Sequence, residues 1–263
     1  MSAIKHLFVL FRNLLLLHRV ETVFFLLFVS AWGSLFALGA NPHASWFLVG
    51  LGTFLNAGIA FNGLLGNSYC DFDLDRLSPT KKAVTRAIEF MGKPIVLGIF
   101  VVEILVLATI FYRYLPLYAN SDAVFWFWAG IIGRISYNFP PIRFKTRGIL
   151  NMPVYALNFG FIPIMFGWSL IADGYPPGLF LIATGAFLML GAQALWGAAI
   201  DYDSDKKGGA VTIATVLGQV RSLKLSQLPM VVGTLSFIFG VYLIAAAREG
   251  SLSHVSLIGL LII

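Results

Sequence analysis

Six of the twelve acidic residues of this sequence fall in two short clusters, Asp71, Asp73 and Asp75, then Asp201, Asp203 and Asp205. On a helix that continues through each cluster, Asn67, Asp71 and Asp75 stand at i, i+4 and i+8 on one face, and Asp201 and Asp205 at i and i+4 on another. Asp73 and Asp203 then point roughly opposite. Like charges four residues apart repel, and the negative end of the helix dipole adds to that repulsion at a C-terminus. Both pairs therefore call for a compensating cation. Carboxylate oxygens are hard ligands that suit Mg²⁺, which takes one or two carboxylates and completes its shell with phosphate oxygens and water. Bases follow each cluster within reach of the same phosphates: Lys81, Lys82 and Arg86 after the first, Lys206 and Lys207 after the second. Carboxylate, metal and base beside apolar sequence make a site for an anion with an apolar tail. Solvated charges at a helix end would explain one such cluster, but not two with the same spacing that close apolar runs on the same side.

The elements that hold these clusters are membrane helices. A soluble domain is about a quarter charged, whereas here 59% of residues are hydrophobic and 11% charged, and the bilayer is the solvent that suits such a chain. Apolar runs predict spans near 20–39, 45–66, 94–112, 123–138, 150–171, 178–200 and 226–247. An eighth run begins at about 252 and is still apolar at Ile263. It is too short for a straight span of about 20 residues, so the chain is either cut short there or re-entrant, and truncation is the preferred reading.

Basic residues concentrate in alternate loops, at 76–93, 143–147 and 206–224, with Lys5 and Arg12 before the first span and only Arg113 and Arg248 in the others. The positive-inside rule places the N-terminus and these loops, with both acidic clusters, on the cytoplasmic side. The net charge of +6 is thus a topology signal and carries no nucleic-acid reading. The single cysteine, Cys70, excludes an intrachain disulfide and reads as a packing residue. The scattered histidines lack zinc spacing. The first apolar stretch is too long for a signal peptide and lacks a cleavage site. Glu103 lies mid-span, where a carboxylate is a functional candidate by default or is held protonated between helices. Glycines within spans, among them Gly185 and Gly197, permit close helix packing. Tyr69, Phe72, Tyr137, Phe139 and Tyr202 suit an aromatic belt at the interface, or π faces turned toward a cation.

Several strings resemble the UbiA family of intramembrane prenyltransferases. Asn67-Ser-Tyr-Cys-Asp71-Phe-Asp-Leu-Asp75 is similar to the family's first motif, NDxxDxxxD, with Ser68 in place of the Asp at its second position. Asp201-Tyr-Asp-Ser-Asp205-Lys-Lys-Gly resembles the second, DxxxD followed by a base and Gly. Tyr137-Asn-Phe-Pro-Pro-Ile-Arg-Phe-Lys145-Thr-Arg147-Gly is similar to the YxxPPxRxKxxG loop of several branches, and His18-Arg19 stands where the family has Arg-Pro. The likeness runs over about residues 12–220. The Arg-Pro-Ile-Pro-Ser-Gly run that often follows the first motif is absent, and Lys81, Lys82 and Arg86 stand there instead.

The resemblance implies one all-α polytopic membrane domain over 1–263, two four-helix halves around a central cavity open to the cytoplasm. The family pattern has nine spans, the last one or two missing or cut short here. It implies that Asn67, Asp71 and Asp75 bind one Mg²⁺ and Asp201 and Asp205 another, with Mn²⁺ as a substitute. Arg19, Lys82, Arg86, Lys145 and Arg147 would hold the diphosphate. The implied reaction moves a prenyl group from an allylic polyprenyl diphosphate to a lipophilic acceptor (aromatic, quinone-precursor, tetrapyrrole or isoprenoid) and releases diphosphate. A terpene cyclase of the same family would carry identical motifs and differ only in product. A transporter would place its acids near the midplane, often on broken helices, whereas both clusters here sit at one face. The Pro-Pro-Ile-Arg-Phe-Lys loop and Thr212-Ile-Ala-Thr-Val-Leu-Gly resemble the chlorophyll-synthase and carotenoid-elongating branches more than the 4-hydroxybenzoate branch.

Overall fold

The computed structural model describes residues 3–41, 43–118 and 121–247, so the apolar run from about 252 lies outside the described residues. The described chain is helical, with one isolated parallel bridge between Gly148 and Thr212. In order it forms α1 (Ala3–Leu17), α2 (Val23–Ala40), α3 (Trp46–Cys70), a single turn α4 (Phe72–Asp75), α5 (Lys82–Met91), α6 (Lys93–Tyr118) and α7 (Ser121–Asn138). There follow α8 (Asn151–Ala156), a π-helical turn (Leu157–Phe161), α9 (Ile162–Ser169), α10 (Pro177–Ile200), α11 (Tyr202–Lys207), α12 (Ile213–Leu217) and α13 (Gln219–Ala246). The seven spans expected from hydropathy each coincide with α2, α3, α6, α7, α8 through α9, α10 and α13. Four of these, α3, α6, α10 and α13, are long and apolar enough to cross a membrane. The protein is an integral membrane protein.

The span ends follow local chemistry. Ser45 caps α3 by accepting from Phe47 N at 3.1 Å. Pro177 opens α10, where its missing N–H is harmless. Gly218, at φ +90°, ends α12 and lets α13 start at once, seven residues before the expected span. Helices α6 and α13 bury only 22% of their most apolar windows and turn Val102, Leu105 and Leu235 outward, as lipid-facing helices do. Helix α13 lies against α10 through two glycine pairs. A Cβ on Gly185 would come within 2.6 Å of the Gly233 carbonyl oxygen, and one on Gly178 within 2.7 Å of that of Gly240.

The π turn has a traceable cause and effect. In the π register the carbonyl of Asn158 would accept from residue 163, but that residue is proline. Arg134 on α7 supplies the donor instead, Nη2 to Asn158 O at 2.9 Å, and its guanidinium lies 3.5 Å from the centroid of the Phe159 ring. This pins α7 to the middle of the α8–α9 segment and fixes the ring of Phe159, which reappears below.

Candidate active site

Where α3 and α10 end, a cavity of about 300 Å³ opens between them, the start of α2 and the loop that follows α7. Helical bonding runs on through both acidic clusters. Asp71 N donates to Asn67 O at 2.9 Å and Asp75 N to Asp71 O at 2.7 Å; Asp201 N donates to Gly197 O at 3.0 Å and Asp205 N to Asp201 O at 2.9 Å. The i, i+4 faces therefore survive the change from span to short helix. Asp71 and Asp75 are 2% and 5% exposed, Asp205 is buried and Asp201 half-buried on the cavity wall. Asp73 points away, 80% exposed and 3.3 Å from Lys93, and Asp203 is also exposed. Gly197 has open space where a Cβ would be, so it widens the cavity rather than admitting a neighbouring helix.

Cations reach these acids from three loops. Lys145 donates to Asn67 Oδ1 at 2.8 Å and pairs with Asp71 Oδ2. Arg143 donates to Asp71 Oδ1 at 2.9 Å and to the Cys70 carbonyl at 3.1 Å. Burial alone would raise the Asp71 pKa, but these two bases outweigh it and hold the carboxyl below its ordinary value. Lys81 Nζ lies 3.4 Å from Asp75 Oδ1, and Arg19 Nη2 lies 3.8 Å from Asp75 Oδ2. Asp205 shifts the other way: burial and then the neighbouring Asp201 raise its pKa, against the opposing pull of Lys145 and a hydrogen bond from Thr212.

Residues 26–263 match the UbiA prenyltransferase family. The chain belongs to that family. It is similar to a lycopene elongase/hydratase of Haloferax volcanii, 28% identical over 195 residues that cover 73% of this chain and 58% of that protein. It is also similar to a lycopene elongase/hydratase of Corynebacterium glutamicum, 26% identical over 201 residues, 74% of this chain and 66% of that protein. The chain thus spans less than two thirds of the length of each. Its fold is that of a UbiA homologue from Archaeoglobus fulgidus solved with GPP and Mg²⁺, with TM-score 0.71, 20% identity and coverage of 95% of this chain and 87% of that one. The same homologue with DMAPP and Mg²⁺ gives TM-score 0.69 at 20% identity over 90% and 79%.

The structure places some of the expected UbiA site residues on the cavity and others away from it. Arg19, Asn67, Asp75, Lys145, Asp201 and Asp205 line it, and Asp71 sits just behind Lys145. Lys82 and Arg86 do not reach it: they are exposed on α5, whose opposite face buries Val84, Ala87, Ile88 and Met91. Lys81, one residue earlier, takes the position expected of them. Arg147 is also exposed, with its guanidinium spent on the carbonyls of Pro141, at 2.8 Å, and Ile142. Lys206 and Lys207 are exposed, the former over the ring of Tyr202. Tyr69 and Phe139 stack on each other beside Lys93 rather than lining the cavity.

Sequence reasoning passed over Arg143 as a ligand of Asp71, because its left-handed backbone, φ +40°, aims the side chain where no periodicity would. It also passed over Tyr155, Phe159 and Gln193, which line the inner part of the cavity with Tyr137. Gln193, a polar residue inside an apolar span, was the available signal.

Two carboxylate pairs suit Mg²⁺. Among the described residues no three His, Cys, Asp or Glu side chains form a cage, and Mg²⁺ does not ask for one, since it keeps waters and phosphate oxygens in its shell. Asp75 Oδ2 is buried with no hydrogen-bond partner, as are Arg19 Nε and Nη2 facing it. An orphaned carboxylate oxygen opposite orphaned guanidinium nitrogens fits a metal and a phosphate respectively.

Proposed function

We propose that this chain is a Mg²⁺-dependent intramembrane prenyltransferase that transfers a prenyl group from an allylic prenyl diphosphate to a lipophilic acceptor and releases diphosphate. The observation that carries this reading is the convergence of Asp75, Asp201, Asp205 and the cations Arg19, Lys81 and Lys145 on one cavity at the end of apolar spans, with Asp71 directly behind Lys145. The family supports it, as do the GPP, DMAPP and Mg²⁺ bound in structures of the A. fulgidus homologue. Both named relatives are lycopene elongase/hydratases, which favours an isoprenoid acceptor over the aromatic, quinone-precursor and tetrapyrrole classes.

Arg19, Lys81 and Lys145 hold the diphosphate oxygens by charge-assisted hydrogen bonds. As the allylic C–O bond breaks, its electron pair leaves with diphosphate, and these fixed cations stabilise the charge that develops there. Mg²⁺, held by Asn67, Asp71 and Asp75 and by Asp201 and Asp205, would add Lewis-acid neutralisation of the same leaving group. The allylic cation is left beside Tyr137, Tyr155 and Phe159, whose rings exclude water, with Tyr137 and Tyr155 rather than the Arg134-covered Phe159 to present π faces. A carbon–carbon double bond of the acceptor then supplies the electron pair of the new bond, and loss of a proton from the acceptor restores neutrality.

Membranes containing the protein should convert labelled prenyl diphosphates of several lengths, offered with polyene, aromatic and tetrapyrrole acceptors, into adducts with the acceptor mass. A cyclised prenyl product with no acceptor would reassign the chain as a cyclase, and absence of diphosphate release would reject both. Within that assay, Lys81→Ala is expected to raise KM for the diphosphate about tenfold, the order of one charge-assisted bond. Lys82→Ala and Arg86→Ala should stay within about twofold; a tenfold effect at position 86 would contradict the placement of α5.

The same reading puts the cavity mouth on the cytoplasmic side, following the basic loops. Lys82→Cys and Lys206→Cys should be labelled by a membrane-impermeant thiol reagent from the cytoplasmic face, and Arg113→Cys from the other. Labelling of positions 82 and 206 from different faces would refute the arrangement.

A further inference from the structure

Glu103 stands halfway along α6 and belongs to neither acidic cluster, yet both its oxygens are taken. His18 Nε2 lies 2.6 Å from Oε1, and Asn62 Nδ2 donates to Oε2 at 3.0 Å while also donating to Phe100 O at 2.9 Å. The other ring nitrogen of His18, Nδ1, lies 2.8 Å from the carbonyl of Leu14. The Leu14 carbonyl can only accept, so Nδ1 carries hydrogen, and a second hydrogen lies between Nε2 and Glu103 Oε1 and ties the two side chains together. A titratable pair at membrane depth is costly unless something is gained by it.

The residue next to His18 is Arg19, at φ +49°. For a non-glycine residue without a short polar side chain this conformation is strained, and it persists only where its surroundings over-determine it. Two spans grip the turn. Ser68 on α3 donates to Leu17 O at 3.3 Å, and Glu103 on α6 holds His18. Ser68 stands where the family's first motif usually has its first Asp, and an ionised Asp could not donate to that carbonyl. Helix α1, which leads into the turn, rests chiefly on α5, so these contacts tie the turn to the bundle itself. The strained backbone sends the Arg19 side chain into the cavity, where Nε and Nη2 are buried without hydrogen-bond partners.

We infer that Glu103 is a positioning residue for the diphosphate site: through its hydrogen bond with His18 it fixes the strained turn that delivers Arg19. This rests on the reading of Arg19 as a diphosphate ligand, and a double-mutant cycle separates the two claims. KM for the prenyl diphosphate and kcat are measured for Glu103→Gln, Arg19→Ala and the double variant in the full-length protein. Glu103→Gln keeps the side-chain shape but replaces the carboxyl with an amide whose NH₂ is turned toward a donor. It is expected to raise KM about tenfold with kcat within about threefold, and the double variant should be no worse than Arg19→Ala alone. Should Glu103→Gln fail to fold, His18→Gln breaks the same pair from the other side and is read the same way. Multiplicative KM effects in the cycle, or a fall in kcat at unchanged KM, would overturn the inference. If Arg19→Ala raises KM and Glu103→Gln does not, only the positioning role falls; if Arg19→Ala leaves KM unchanged, the ligand role of Arg19 and this inference fall together.

Discussion

Asp71→Ala and Asp201→Ala are each expected to lower kcat/KM by on the order of 10²-fold or more, about 2.7 kcal/mol of transition-state stabilisation, while Asp73→Ala retains most activity. All three are aspartates at helix ends within the two acidic clusters, so charge count alone would rank them equally. Position separates them. Asp71 is 2% exposed and gripped by Lys145 and Arg143, whereas Asp73 is 80% exposed and faces Lys93 across 3.3 Å in solvent. An exposed pair of that kind is worth about 0–1 kcal/mol. A carboxylate that neutralises a leaving diphosphate inside a water-poor cavity is worth several. Removing Asp71 also takes a buried counter-charge from Lys145 and Arg143, which keep only Asn67 and the Cys70 carbonyl, and so lowers stability as well. Melting temperature must therefore be measured beside activity, and Asp71→Asn, which keeps the shape and a hydrogen-bonding oxygen, should show the activity loss with less unfolding. An Asp73→Ala protein as inactive as Asp71→Ala at equal melting temperature would show that the cluster does not present one helical face to the cavity.

Chelation should abolish turnover, and Mg²⁺ or Mn²⁺ should restore it. Product formation undiminished in excess EDTA would reject the metal-dependent reading. The structure adds an expectation about folding. Asp71 is already compensated by Lys145 and Arg143, and Asp75 by Lys81. The cluster therefore does not depend on a divalent ion to offset its internal repulsion, and EDTA should move the melting temperature by no more than about 2–4 °C while activity vanishes. Cooperative unfolding on chelation would mean that the bases neutralise the cluster less well than their distances indicate.

Membrane spans were legible because the bilayer imposes its length on continuous apolar sequence, and the seven expected runs that fall within the described residues became helical segments. The acidic faces were legible for a related reason: backbone bonding keeps the i to i−4 pattern through Asp71, Asp75, Asp201 and Asp205, so spacing in sequence became direction in space. The orientation of α5 was legible but unread, since Val84, Ala87, Ile88 and Met91 follow helical spacing and leave Lys82 and Arg86 on the opposite face.

Which base meets which acid could be decided only by tertiary structure. Arg143 and Arg147 lie four residues apart in one loop, yet the first reaches Asp71 and the second is consumed by the carbonyls of its own turn. The cavity-facing Arg19 likewise depends on a left-handed turn held by Ser68 and by Glu103, residues 49 and 84 positions away. Helical periodicity relates residues within about two turns of each other. Contacts between loops depend on how separate spans pack, and no local pattern in the chain encodes that distance.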